Sequence, residues 1–280
     1  EHIKQKYGAG RERKSEIRNF EQISVTQVVN ANVKLYANRE TGFVGTSLKK
    51  DEFVCDCSDI DDIIVFMQNG KFKVSKVSDK AFFGPDIIHI GVFHKNDERT
   101  IYNVAYRDGK TNVTYIKRFP VMGVTRDKDY DLTLGTPKTK ILYFSANPNG
   151  EAEIVKVYLR QDLHLRKPVF EVDFSTLGIK GKSSKGNILT KHPAYKIVKI
   201  EEGVSTLGGR KIYFNEETKR LNDAGYGKFL GEFKGSDKIL VITEDGKFVL
   251  KTFDLSNHFE CSISRIEKFD ENKIWTAIVF

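Results

Sequence analysis

Several features that mark common protein classes are scarce or missing in this 280-residue sequence. No stretch approaches the ~18 consecutive apolar residues that a membrane-spanning helix needs, and the charged first residues lack the apolar centre of a secretory signal. An initiator methionine is also absent, which predicts that the chain is a fragment. Three cysteines are too few for a disulfide-stabilised fold, so we expect a reducing, cytoplasmic location. They are Cys55, Cys57 and Cys261.

Short motifs that build common catalytic sites are missing as well. The sequence has no Gly-x-Ser-x-Gly nucleophile turn, no phosphate-binding loop and no Gly-x-Gly-x-x-Gly dinucleotide motif. His89 and His94 lie in strand-like sequence and do not share a helical face as zinc ligands do. Cys55 and Cys57 lack a second Cys or His pair at zinc spacing, and we expect them to be small side chains buried on one face of a strand. We therefore predict no catalytic residue, no metal and no cofactor.

The sequence does contain a series of short β-prone runs, each interrupted by a polar turn that usually includes glycine. Asn-Gly and Asp-Gly supply the positive φ that tight hairpins require, so each pair of runs predicts a hairpin. The predicted hairpins are residues 33–46, 63–74, 101–116, 141–158 and 239–250, with one less clear copy made by residues 188–200 and 212–221. Their turns recur roughly every 30 to 40 residues, as in the blades of a radial β array. We therefore predict an all-β fold of five or six blades, with a pair of β-sandwiches as the alternative.

Charge is distributed unevenly along the chain. The net charge of +8 suits a polyanionic partner, although a soluble protein that is simply basic has the same composition. Residues 178–199 contain six lysines and no acidic residue, whereas six acidic residues crowd positions 51–62. Such separation is typical of a nucleic-acid-binding face. The candidate contacts are Lys180, Lys182, Lys185, Lys191, Lys117, Arg118, Arg210 and Lys211.

The beginning of the chain resembles a known junction between two domains. Residues 7–17 read Tyr-Gly-Ala-Gly-Arg-Glu-Arg-Lys-Ser-Glu-Ile. They are similar to the end of the catalytic core in bacterial type IIA topoisomerase A subunits, where Tyr/Phe-Gly precedes Arg-Arg/Lys-Thr/Ser-Glu-Ile and Ser15 takes the Thr/Ser position. Together with the β repeats, this resemblance covers the whole chain. It divides the chain into a connector at residues 1–19 and a C-terminal domain at residues 20–280.

This resemblance implies both a fold and a function. The family folds the domain as a β-pinwheel, an all-β disc of four-stranded blades whose basic rim bends duplex DNA through contacts with its backbone. The cleavage tyrosine and the ATP site of an ATP-dependent parent enzyme would lie outside this chain. The implied partners are duplex DNA, the ATPase B subunit of the holoenzyme, and the catalytic core to which this domain is joined. The implied location is the cytoplasm, in association with the nucleoid and without contact with a membrane.

Gyrase A subunits carry a basic box in this domain, Gln-Arg-Arg-Gly-Gly-Lys-Gly, in the first blade. The nearest match here is residues 180–187, Lys-Gly-Lys-Ser-Ser-Lys-Gly-Asn, which keeps the final Lys-Gly as Lys185 and Gly186. Ser183 and Ser184 replace the Arg-Gly-Gly region, and the stretch lies well into the chain. These departures favour topoisomerase IV, which decatenates and relaxes DNA, over gyrase, which wraps it.

An ordinary lysine-rich surface loop is the alternative interpretation of the same residues. We predict instead that Lys182 and Lys185 contact DNA phosphates there, and that Gly181 and Gly186 allow the turn conformations that a close approach needs. For the whole domain, the alternative function classes are a protein-interaction β-propeller that grips a peptide and a hydrolase on a propeller scaffold. An acidic or neutral rim would favour the peptide-binding alternative.

Overall fold

The computed structural model of the protein describes residues 32–274, apart from positions 161–164, 166, 236, 256, 260 and 261. The chain divides into two compact units, Glu1–Asn30 and Ala31–Phe280, and every described residue belongs to the second. The predicted connector at residues 1–19, with its junction motif, lies outside the described residues, as does Cys261.

Strands and turns make up nearly all of the described part of the chain. It contains one 3-10 turn, Phe174–Thr176, besides its strands. Among these residues there is also no helix with the length and apolar character that crossing a membrane requires. Runs rich in β-branched and aromatic residues alternate with turns in which glycines such as Gly70 and Gly246 adopt a positive φ. The prediction of an all-β fold is confirmed.

The described residues form 21 strands, most of them short. The first eleven are β1 Val33–Asn38, β2 Phe43–Gly45, β3 Glu52–Cys57, β4 Asp62–Met67, β5 Lys71–Lys76, β6 Ala81–Phe82, β7 Ile87–Phe93, β8 Ile101–Arg107, β9 Thr114–Pro120, β10 Asp129–Asp131 and β11 Lys140–Asn147. The others are β12 Glu151–Leu159, β13 Val169–Asp173, β14 Asn187–Thr190, β15 Ala194–Ser205, β16 Arg210–Asn215, β17 Arg220–Asn222, β18 Lys228–Phe233, β19 Lys238–Thr243, β20 Phe248–Thr252 and β21 Ile263–Lys268.

These strands form six antiparallel sheets that follow one plan. Each sheet starts with a hairpin, and a third strand then pairs on the other side of the first. The first three sheets also have a fourth strand, which pairs with the second: their orders are β3-β1-β2-β6, β7-β4-β5-β10 and β11-β8-β9-β14. That fourth strand always comes from beyond the hairpin of the following sheet. The first three sheets are therefore interlocked by exchanged strands.

The last three sheets have three strands each within the described residues, in the orders β15-β12-β13, β18-β16-β17 and β21-β19-β20. In the fifth sheet, a single bridge between Arg220 and His258 occupies the place of a fourth strand. By the same plan, the fourth strand of the fourth sheet would come from residues 223–227, between β17 and β18. Hydrogen bonds between Asn222 and Tyr226 hold these residues in a turn. The six sheets agree with the predicted five or six blades. Within the described residues, the last three sheets have three strands each and not the four that the resemblance implies.

Four of the predicted hairpins are confirmed, at residues 33–46, 63–74, 101–116 and 239–250. The predicted hairpin at residues 141–158 is wrong, because β11 lies in the third sheet and β12 in the fourth, where β12 forms its hairpin with β13. The less clear copy made by residues 188–200 and 212–221 is wrong for the same reason, since β14, β15 and β16 belong to three different sheets. In both cases the turn connects sheets instead of paired strands. Residues 212–221 form the hairpin of β16 and β17 by themselves.

Large clusters of buried side chains pack between successive sheets from the first to the fourth, and between the fifth and the sixth. Strand β4 shows why its sequence is an almost unbroken apolar run: Ile64 and Phe66 face the third sheet, whereas Ile63 and Val65 face the first. Burying each such side chain contributes about 1.5–3 kcal/mol. Cys57 is buried in the cluster between the first two sheets and Cys55 packs against it, which confirms their predicted structural role.

Candidate nucleic-acid interface

The acid-free run predicted to bind DNA is divided between two sheets. Residues 180–186 form a loop that leads into β14, the fourth strand of the third sheet. Lys191 lies in the following turn and is exposed, and Lys196 and Lys199 are exposed on β15 of the fourth sheet. The six lysines therefore belong to three separate pieces of structure, of which the loop at residues 180–186 carries the box-like sequence.

A turn and a glycine contact shape this box-like loop. The Ser184 N–H donates to the Gly181 carbonyl at 3.0 Å, which closes the turn. Gly186 has φ +87°, and a Cβ there would lie 2.6 Å from the main-chain oxygen of Ile116 on β9. Glycine is thus required at position 186 because the loop packs on β9. Gly181 does not have a positive φ, and a Cβ there would meet open space.

The lysines of the loop differ in how far their ammonium groups are available. Lys185 is exposed, and Lys180 is exposed while donating to Asn187 Oδ1 at 2.9 Å. Lys182 is half-buried: its Nζ donates to the Gly123 carbonyl at 2.8 Å and lies 5.8 Å from the ring centroid of Tyr130. Lys185 and Lys180 therefore both present exposed side chains to solvent, with one N–H of Lys180 bound to Asn187, whereas the half-buried Lys182 binds the main chain of another segment.

Lys117 is buried beneath the loop, which corrects its prediction as a DNA contact. Only 3% of the residue is exposed, and its Nζ donates to three carbonyl oxygens, of Leu132 at 2.5 Å and of Lys182 and Ser184 at 2.9 Å each. Burial lowers the pKa of the Lys117 ammonium to about 8, and the negative charge of Asp131 acts in the opposite direction. Its function in the fold is to hold the main chain of the loop.

Arg118 is buried on the opposite face of β9, so the same correction applies. Its guanidinium donates to Asn103 Oδ1 at 3.0 Å, and at 2.9 Å to both the Gly150 carbonyl and Thr206 Oγ1. These partners belong to the third sheet and to the segments on either side of the fourth. Since 1% of the residue is exposed, its charge serves to join these segments and does not reach the surface.

The other predicted pair, Arg210 and Lys211, lies at the start of the fifth sheet. Arg210 forms an ion pair with Asp223, with its Nη2 2.7 Å from Oδ2, while Lys211 is exposed. No contact in the described part of the chain brings this pair together with the box-like loop. DNA contacts from Arg210, Lys211 and Lys191 stay predictions.

The acidic residues of positions 51–62 lie on or beside β3 of the first sheet, in its connection to the second, and, for Asp62, at the start of β4 in the second sheet. Several are already paired: Glu52 binds Arg39, with Oε2 2.7 Å from Nε, and Asp62 binds Arg126. The hydrogen bond from Arg39 lowers the pKa of Glu52. The negative stretch and the box-like loop of the third sheet thus belong to different sheets, as the separated charges in the sequence indicate.

A comparison with protein families identifies what kind of domain this is. The model of a family described as the topoisomerase C-terminal domain of Bacteroidota matches residues 34–202 and 220–280. The chain belongs to this family. The predicted resemblance to type IIA topoisomerase A subunits is therefore confirmed, and the family match favours it over the peptide-binding propeller and the hydrolase.

Individual relatives of this topoisomerase C-terminal domain include the A subunit of DNA topoisomerase 4 from Borreliella burgdorferi, which is 31% identical over 144 residues. That match covers 51% of this chain and 22% of the relative, so the chain spans a minor part of that protein's length. Solved structures of the C-terminal domains of DNA topoisomerase IV and DNA gyrase A each share 11% identity. They cover 84% and 85% of this chain, 92% and 99% of their own chains, and have TM-scores of 0.42 and 0.30.

Sequence reasoning missed the residues that support the loop. Tyr106 donates its hydroxyl to the Lys185 carbonyl at 2.7 Å, and Lys117 holds two more carbonyls of the loop. Lys128 lies 5.6 Å from the ring centroid of Tyr130, the ring that Lys182 also approaches. The contacts to the loop join positions more than 50 residues apart, and no local pattern signals them. The exchanged strand β14 is what brings them together.

Proposed function

We propose that this topoisomerase C-terminal domain binds duplex DNA through its phosphate backbone and bends the bound segment. The observation that carries the proposal is the box-like loop at residues 180–186. It is free of acidic residues, it is anchored through its main chain, and it presents the side chains of Lys180 and Lys185 to solvent. Lysine ammonium groups neutralise phosphates and release counterions, which favours binding without reading the base sequence.

The rest of the proposed function follows from the family. A bent segment would be presented to the strand-passage core of the parent enzyme, in association with the nucleoid, in a holoenzyme that includes the ATPase B subunit. Cleavage and ATP hydrolysis would occur outside this chain, which needs no cofactor of its own. The incomplete box favours a topoisomerase IV that decatenates and relaxes DNA, because full chiral wrapping relies on the complete gyrase box.

Binding of a short duplex measured across salt concentrations tests this proposal. The double variant Lys180→Ala, Lys185→Ala should lower the slope of log affinity against log salt by about 0.9 for each phosphate contact that is lost. The double variant Lys49→Ala, Lys50→Ala is the matched control: it removes two exposed charges near the acidic stretch of the first sheet and should leave the slope nearly unchanged.

Equal slopes for the two double variants would make the box-like loop an ordinary solvated loop. Strong dependence of affinity on one base sequence would contradict backbone binding. In the parent enzyme, introduction of negative supercoils would show that this incomplete box supports wrapping, and the choice of topoisomerase IV over gyrase would then be wrong.

A further inference from the structure

The main chain of the box-like loop has a defined inside and outside. The carbonyl oxygens of Lys182 and Ser184 both lie 2.9 Å from Nζ of Lys117, which is buried beneath them. The carbonyl oxygen of Lys185 also faces inward, because it accepts the hydroxyl of Tyr106 at 2.7 Å. Two buried side chains thus hold three of the loop's carbonyl groups toward the protein.

Peptide geometry determines what the opposite side of the loop presents. In a planar trans peptide, the N–H of a residue points away from the carbonyl of the residue before it. The inward carbonyls of Lys182 and Ser184 therefore direct the N–H groups of Ser183 and Lys185 outward. Both of these residues are exposed, and within the described part of the chain neither N–H donates a hydrogen bond.

The two N–H groups form separate donor points, because carbonyls that converge on one Nζ belong to peptides whose N–H groups diverge. The same loop carries the exposed side chains of Lys180 and Lys185. Outward main-chain N–H groups next to cationic side chains bind oxyanions, and hydrogen bonds to a charged acceptor are stronger than neutral ones. Phosphate oxygens of a nucleic-acid backbone have the chemistry that fits these donors.

We infer that the main-chain N–H groups of Ser183 and Lys185 are direct phosphate ligands, and that Lys117 is a positioning residue which holds them outward without touching DNA. This inference rests on the proposed function for the identity of the ligand. Ser183 and Ser184 replace the Arg-Gly-Gly region of the gyrase box, and the inference gives them a role that needs no basic side chain: Ser183 offers its N–H, and the held carbonyl of Ser184 directs the N–H of Lys185. The inference also explains why a lysine lies buried beneath a basic loop, where like charge alone would disfavour it.

Amide chemical shifts in the ¹⁵N-labelled chain test the inference. Addition of a short duplex, and separately of inorganic phosphate, should shift the N–H signals of Ser183 and Lys185. In Lys117→Met, which removes the ammonium and keeps much of the length of the side chain, these shifts should disappear. Affinity for the duplex should fall about tenfold or more. The salt slope should change less than in Lys185→Ala, since Lys117 neutralises no phosphate itself.

A second variant covers the case in which Lys117→Met does not fold. Tyr106→Phe deletes only the hydroxyl that binds the Lys185 carbonyl. That carbonyl belongs to the peptide after the Lys185 N–H, so the variant should reduce the phosphate-induced shift at Lys185 by releasing this residue from its anchor, while thermal unfolding and distant amide signals stay close to wild type. Duplex binding without shifts at Ser183 and Lys185 would overturn the inference and leave the proposed function standing. Absence of duplex binding to the wild-type chain would overturn both. Shifts with phosphate that persist unchanged in both variants would show that Lys117 and Tyr106 do not position the loop.

Discussion

The first three sheets and the last three are built on the same plan but bury their strands very differently. Strand β9 is buried along nearly its whole length, because β8 and β14 cover its two edges and neighbouring sheets cover its faces. Strand β20 occupies the equivalent second position in the sixth sheet, and Phe248, Val249 and Leu250 are all exposed there. Within the described residues β20 lacks both kinds of cover, because no fourth strand pairs with it and its sheet packs only against the fifth.

The junctions between sheets show the same contrast. Large apolar clusters lie between the first and second, second and third, third and fourth, and fifth and sixth sheets. The segment that connects the fourth sheet to the fifth is held by polar contacts to the main chain. The Thr206 N–H donates to the Gly150 carbonyl at 3.0 Å, and Arg99 donates to the Gly208 carbonyl at 2.9 Å. Among the described residues, the next apolar cluster along the chain lies between the fifth and sixth sheets.

Removal of one phenylalanine from each half should give the largest difference in stability. Phe66 is fully buried and packs against Phe72, Tyr102 and Phe144, so Phe66→Ala should lower the free energy of unfolding by about 3–5 kcal/mol. Phe248 is 72% exposed, and Phe248→Ala should change the free energy of unfolding by about 0.5 kcal/mol or less. Urea denaturation of both variants measures the difference. Similar losses would mean that β20 is covered in solution.

A pair of glycines in one loop tests the exchanged strand directly. Gly186→Ala places a Cβ against Ile116 at a positive φ, and should cost about 1–3 kcal/mol as β14 is pushed away from β9. Gly181→Ala adds the same methyl group to open space and should cost less than about 0.5 kcal/mol. Hydrogen exchange reports the site of the damage. Faster exchange should appear at the amides of β9, and uniform loss across all sheets would argue against a local effect of β14.

A smaller effect, which depends on pH, should come from the buried lysine of the third sheet. Lys117 has a pKa of about 8 when folded and about 10.4 when unfolded, so between these values the unfolded chain binds more protons. The free energy of unfolding should therefore rise with pH from about 8 to 10, by a contribution on the order of 1 kcal/mol. Above pH ~10, buried tyrosines such as Tyr102, whose pKa burial raises, act in the opposite sense, because they lose their protons more readily in the unfolded chain.

Two lysine variants isolate this contribution. Chemical denaturation at several pH values should show the rise in wild type and in Lys196→Met, which removes an exposed lysine of the fourth sheet. The rise should be missing in Lys117→Met. If all three proteins respond to pH in the same way, the ammonium of Lys117 is not buried in the folded protein.

Local sequence signals predicted the hairpins well and their assembly poorly. The Asn-Gly turn at Gly70 and the Asp-Gly turn at Gly246 lie between strands that do pair. The turn that ends at Gly150 has the same composition, yet it separates β11 from β12, which lie in different sheets. A turn motif reports a local reversal of the chain, whereas pairing depends on which distant strand is available. Strand exchange is a non-local property, and no pattern within a single repeat encodes it.

The candidate site was predictable in its location and not in its construction. An acid-free lysine run and a partial box were enough to indicate the loop at residues 180–186. Composition could not separate Lys117 and Arg118 from surface lysines, because charge in a sequence carries no information about burial. The sequence did contain one signal of burial, which is the position of Lys117 and Arg118 between Ile116 and Phe119 in a β-prone run. Because both faces of β9 are packed, each of the two side chains must point into the interior.

The exchanged strands also determine the order in which the sheets can be completed during synthesis of the chain. A chain that emerges from its N-terminus can form the first hairpin early, but its first sheet lacks β6 until the second hairpin has been made. The third sheet likewise waits for β14, which follows β12 and β13 of the fourth. Each of the first three sheets is thus completed by a strand that follows the hairpin of the next sheet. Cutting between any two of the first four sheets would leave an earlier one without a strand, whereas removal of the sixth sheet would take from the strand pairing of the fifth only the single bridge between Arg220 and His258.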